Sequence, residues 1–150
     1  MRGFSLRRRL AIAAGAAALL GVLVPVASAT AASADPRPGT ITAGYVPANG
    51  YWTYTGVYLS RGTVVLSASG TVFVNGTAYG PAGTTSCTGS LVSYLPCNGL
   101  IGEIGNGPYF AVANTSYLRV FQSGQLKLAV NTPVGANSWG AFRVSVVGLP

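Results

Sequence analysis

From Thr40 onward the chain is written in short β-branched and aromatic runs separated by Gly, Pro, Asn and Ser, and no stretch carries a helical stripe of apolar residues. That grammar constrains the fold more than any other feature, because an apolar period of two lays one face of a strand on a core, whereas a helix needs a period near 3.6. The candidate strands are Gly56 to Leu59, Thr63 to Ala68, Gly70 to Val74, Leu100 to Ile104, Tyr109 to Ala111, Ser116 to Phe121, Gln125 to Val130 and Ala141 to Val147. In the seventh, Leu126, Leu128 and Val130 share one face and Lys127 takes the other; in the eighth, Phe142, Val144 and Val146 oppose Arg143 and Ser145. Asn75-Gly76, Asn106-Gly107 and Ser123-Gly124 are the turn candidates, supplying the positive φ that hairpins require. About eight antiparallel strands at this spacing predict an all-β sandwich of the jelly-roll type.

The start of the chain reads differently. Arg2, Arg7, Arg8 and Arg9 precede an apolar stretch from Leu10 to Val26, and a small-residue run follows, ending in Ala32-Ser33-Ala34. Charged, apolar, then small is the order of a secretory leader, so residues 1–34 are expected to be removed and the mature chain to begin at Asp35, with Ala27-Ser28-Ala29 as the alternative cleavage site. The apolar stretch, interrupted by Gly15, Gly21 and Pro25, is short for a membrane span of roughly 20 residues, so no membrane association is expected after cleavage. Residues 35–150 then form a single domain, led by an extended arm over 35–44, and the destination is extracellular. The sequence sets no oligomeric state.

Without the leader, Arg37, Arg61, Arg119, Lys127 and Arg143 face Asp35 and Glu103, a net charge of +3. Singly scattered cations do not make the clustered face that nucleic acid requires, so nucleic acid is excluded as a partner. Cys87 and Cys97 are the only cysteines, and an exported chain with an even count favours a bridge between them. Two cysteines in a chain without histidine cannot complete a tetrahedral zinc site, so no metal is expected through sulfur. Catalysis lacks its groups as well. Glycoside cleavage needs two facing carboxyls, yet Glu103 stands alone in the domain's body and reads as a solvated strand residue or the partner of a nearby arginine. The hydroxyls have no histidine to activate them, and the chain is not expected to be an enzyme.

Two blocks carry a resemblance. One runs from Trp52-Thr53-Tyr54-Thr55-Gly56 to Ala68-Ser69-Gly70-Thr71-Val72. The other runs from Tyr79-Gly80-Pro81 through Cys97-Asn98-Gly99-Leu100-Ile101-Gly102-Glu103-Ile104-Gly105-Asn106 to Gly140-Ala141-Phe142-Arg143-Val144. Over about 90 residues they resemble the calcium-dependent galactophilic lectins of bacteria, which have a galactose-binding-domain-like jelly roll. The resemblance implies a secreted carbohydrate-binding module whose partner is a galactose-type glycan, held in the loop after the penultimate strand, here Asn131 to Gly140, with calcium coordinated by a carboxylate, a backbone carbonyl and paired asparagines. Here Thr132 stands at the carboxylate's place and Asn137-Ser138 at the asparagine pair's, the family's histidine is absent, and its third-strand tyrosine corresponds to Val74 or, across a gap, to Tyr79. Calcium favours six to eight oxygens with anionic ones among them, so no cofactor is expected. The carbohydrate-binding candidates are therefore Thr132, Asn137 and Ser138 as rim hydrogen-bonders and Trp139 as the stacking ring or, alternatively, a packing residue. Trp52 reads as core or edge packing, and the rings from Tyr51 to Tyr54 are the alternative platform. The competing reading is a secreted structural or surface-interaction protein that keeps the fold without sugar affinity.

Overall fold

A computed structural model describes residues 33–34, 40–86 and 88–149. Cys87, most of the expected leader and Asp35 to Gly39 lie outside the described residues.

The described chain is all β, ten strands in two facing five-stranded sheets, a jelly-roll sandwich. The strands are β1 (Ser33–Ala34), β2 (Thr40–Pro47), β3 (Thr53–Leu59), β4 (Gly62–Val74), β5 (Thr77–Tyr79), β6 (Leu100–Ile104), β7 (Phe110–Val112), β8 (Thr115–Val120), β9 (Gly124–Val130) and β10 (Ser138–Gly148). The first sheet runs β1-β3-β9-β6-β7, antiparallel except for the two-residue β1 alongside β3; the second runs β2-β10-β4-β5, with β8 also on β4.

The alternation of β9 and β10 holds residue by residue. Leu126, Leu128, Val130, Phe142 and Val144 are fully buried and Val146 nearly so, facing one another across the sandwich with Leu66, Val72, Val46 and Leu100. Removing such side chains from water is the main stabilising term, about 1.5–3 kcal/mol for each large aliphatic or aromatic one.

Four expectations are corrected. Thr40 to Gly44, assigned to the extended arm, belong to β2, where Thr40, Ile41, Thr42 and Gly44 pair with Val147, Val146, Ser145 and Val144 of β10 and Ala43 is buried. Its threonines and glycine read weakly as strand; pairing with β10 decides the matter. Second, Thr63 to Ala68 and Gly70 to Val74 are one strand. Gly70, at φ 108°, keeps β4 continuous, and a Cβ there would lie 2.7 Å from the Ala141 carbonyl oxygen, so only glycine allows the approach of β10. Third, Ser123-Gly124 is no hairpin. It carries the chain from β8 in the second sheet to β9 in the first, and Gly124 is small because a Cβ would meet the Gly105 nitrogen at 2.6 Å. Fourth, in the β6–β7 hairpin the positive φ falls on Gly105, at 60°, rather than on Asn106-Gly107. Asn75 and Gly76, at φ 50° and 81°, do form the expected tight turn, between β4 and β5.

The irregular segment between β5 and β6 folds over the outer face of the first sheet. Val92 is buried there with Ile101 and Ala129, and Leu91, Leu95 and Trp52 pack around them, so β6 is buried on both faces, every residue of it. Asn131 clasps this cover. Fully buried, its Oδ1 accepts the Val92 N–H at 2.9 Å, and its Nδ2 donates to the carbonyls of Val92, Leu95 and Pro96 at 3.0, 3.2 and 3.0 Å. Cys97 is buried and bridged to Thr84 by two backbone hydrogen bonds of 2.8 Å. No free thiol occurs among the described residues.

Candidate functional site

The segment after β9 starts from Asn131 and Thr132, both fully buried, and turns outward at Pro133 to reach β10. The structure distributes the four sequence candidates over different surfaces. Thr132 lies beneath the loop, and its hydroxyl is a buried polar group with no hydrogen-bond partner. Asn137 is exposed, and its carbonyl accepts the Asn75 N–H at 2.8 Å, tying the loop to the β4–β5 turn. Ser138 begins β10 and donates its hydroxyl to the Ala48 carbonyl, so that hydroxyl is already engaged. Trp139 is a strand residue rather than a loop residue. It pairs in register with Phe73 on the outer face of the second sheet and stacks on it, ring centroids 3.9 Å apart and planes within 8°, while remaining 60% exposed. Strand alternation puts Ser138 and Trp139 on opposite faces, so they cannot touch one sugar ring together.

What the fold assembles beside the loop is a depression of about 270 Å³ lined by Val74, Asn75, Thr77, Tyr79, Thr88, Asn98 and Pro133. Three elements build it. The β4–β5 turn brings Asn75 and Thr77, and β5 aims Tyr79 inward against the core's edge. The segment before β6 brings Asn98, whose N–H donates to the Asn131 carbonyl at 2.8 Å. Asn75 and Asn98 are the only non-glycine residues with positive φ among the described residues, at 50° and 55°, a conformation asparagine tolerates better than most. Two amides, two hydroxyls and a tyrosine around a concave site suit a polyhydroxylated ligand, whose rim hydroxyls need donors and acceptors while its apolar face needs a ring. By contrast, a depression of about 250 Å³ bounded by Ile104, Phe110, Leu118 and Phe121 is apolar.

Of these residues the sequence singles out only Tyr79, as a displaced family tyrosine, and Asn75, as a turn former. Thr77, Thr88 and Asn98 carry no spacing signal, since they come from separate segments that meet only on folding. Asn98-Gly99 is a turn dipeptide, and that was the available cue.

The residues do not fit calcium. The only carboxylate among the described residues, on Glu103, sits on β6 in the first sheet, 2.7 Å from the Lys127 ammonium. Hydroxyls, amides and carbonyls alone compensate a dehydrated divalent cation poorly. No group of three metal-ligating side chains occurs among the described residues.

No family model matches the sequence, and no curated protein does. Among solved structures, the chain is similar to the N-terminal domain of EclA, described as a PllA-like lectin, at 29% identity and a TM-score of 0.57, covering 72% of this chain and 96% of that one. The sandwich is thus a lectin-like fold, and the protein it resembles is described as a lectin.

Proposed function

We propose that this protein is a secreted, lectin-like carbohydrate-binding module that takes a galactose-type sugar in the depression between the β4–β5 turn and the loop after β9, without calcium. The observation that carries the reading is the convergence of Asn75, Thr77, Tyr79, Thr88 and Asn98 on one concave site, in a fold shared with a lectin domain. Tyr79 offers the ring, and the amides and hydroxyls hold the sugar's rim. A bridge between Cys87 and Cys97 would fix the cover segment that supplies Thr88 and Asn98.

The test is retention on immobilised galactose-terminated glycans, with and without a chelator. Retention should survive the chelator and be lost in the Thr77→Val, Thr88→Val double variant, which removes two hydroxyls and little volume. Trp139→Ala should leave retention unchanged, since its ring lies on the outer face of the sheet with Phe73. Calorimetry with calcium alone should show nothing tighter than roughly the millimolar range of weak extracellular sites. Retention unaffected by the double variant would sink the assignment of the pocket, and absence of retention on any glycan would favour a structural or surface-interaction role.

A further inference from the structure

The outer face of the second sheet holds a different kind of surface. Its register aligns Thr42 of β2, Ser145 of β10, Ser67 of β4 and Thr115 of β8 in one row, and Tyr45, Arg143 and Ser69 in the next. Rows two residues apart along a strand are about 6.6 Å apart, and neighbouring strands about 4.8 Å, so this is a grid of hydroxyls on the scale of a sugar ring. Between the rows lies an open depression of about 380 Å³ lined by Thr40, Thr42, Ser67, Ser69, Ser145 and Arg143, with Ala68.

Two features give this surface a ligand class. Among the described residues, none of those five hydroxyls hydrogen-bonds to protein and the Arg143 guanidinium has neither hydrogen bond nor ion pair, so the donors and acceptors are unspent. The charge is also one-sided. Arg143 stands on this face with Arg119 further along β8, whereas the only described carboxylate is paired with Lys127 on the other sheet. A planar guanidinium fork among hydroxyls matches a planar carboxylate carried on a polyol, and Tyr45, 67% exposed and directly opposite Arg143, presents a ring beside it.

We propose that this face is a second binding site, for an acidic saccharide of the uronic-acid type, with the carboxylate on Arg143, hydroxyls on the Thr42–Ser145–Ser67 row and the sugar's apolar face on Tyr45. The site is independent of the depression beside the β4–β5 turn. It lies on the opposite face of the second sheet and shares no residue with that depression.

Calorimetry of the full chain with a galacturonic acid trisaccharide, its methyl ester and galactotriose tests it. The free acid should bind about tenfold or more tighter than either neutral form, the scale of one charge-assisted pair, and should weaken as salt rises. Arg143→Gln should abolish that preference, and Arg143→Lys should keep only part of it, because the ammonium lacks the fork. Both variants should fold, since Arg143 is exposed and without a protein partner; matching thermal melts confirm it. Ser67→Ala with Ser145→Ala should also reduce binding, while acetate at equal concentration should not compete, separating a saccharide site from a plain anion site. The Thr77→Val, Thr88→Val variant should leave the acid preference intact. Equal binding of acid and ester, an unchanged preference in Arg143→Gln, or preference appearing only after Asp35→Asn, which would make the chain's own carboxylate the occupant, would overturn the proposal.

Discussion

Glu103 and Lys127 face each other in register on β6 and β9, their charged atoms 2.7 Å apart and their side chains only 11% and 16% exposed. The hydrogen bond that the Lys127 ammonium donates to Glu103 raises its pKa above the ordinary value of 10.5, against a smaller lowering by burial. Because the folded lysine holds its proton to higher pH than the unfolded one, the pair's contribution is complete below 10.5 and declines as pH climbs past it. Thermal melts taken from neutral pH through that value should therefore show a loss of stability that is smaller in Glu103→Gln; parallel curves would mean that the pair contributes nothing. From the sequence, Glu103 reads as a solvated strand residue or an arginine's partner; it is instead buried and paired with a lysine. The identity of the partner depends on which strands become neighbours and in what register, and no local pattern encodes either.

At the scale of elements, the segment from Gly80 to Gly99 has almost no regular structure and is held by contacts it does not itself supply. Asn131 provides four hydrogen bonds to it from a fully buried position, and Gly83 lets the segment close on its own far end, since a Cβ there would lie 2.3 Å from the Cys97 carbonyl oxygen. Asn131→Ala should cost about 2–4 kcal/mol, because truncation leaves several buried backbone groups unpartnered. Urea unfolding should show the lowered midpoint, and an unchanged midpoint would remove Asn131 from its role as a clasp. The sequence places this asparagine at the start of a sugar-binding loop. Its amide instead serves packing, and nothing in the run Val130-Asn131-Thr132 separates the two uses. The strands were more legible: β6, β9 and β10 follow their apolar patterns to within a few residues, whereas β2 and β5, short on such residues, are strands because β10 and β4 offer them partners.

For the whole molecule, export and the bridge meet in one measurement. Intact mass of protein recovered from the medium should match a chain starting at Asp35 and lacking two hydrogens relative to the reduced form. A chain retaining Met1 would remove the leader, and a mass without the two-hydrogen loss would remove the bridge between Cys87 and Cys97. The sequence by itself determined that this chain must be a β sandwich, because alternating apolar residues can bury only one face each and the glycines and asparagines break the chain too often for helices. It also determined that the body of the domain, from Thr40 onward, carries a single acidic side chain, Glu103. Which side chains share a surface was decided only by the tertiary structure. A one-residue step along a strand moves a side chain to the other face, which parts Trp139 from Ser138, and long-range register brings Asn75, Tyr79 and Asn98, or Thr42, Ser145 and Ser67, to one place from segments that have no local reason to meet.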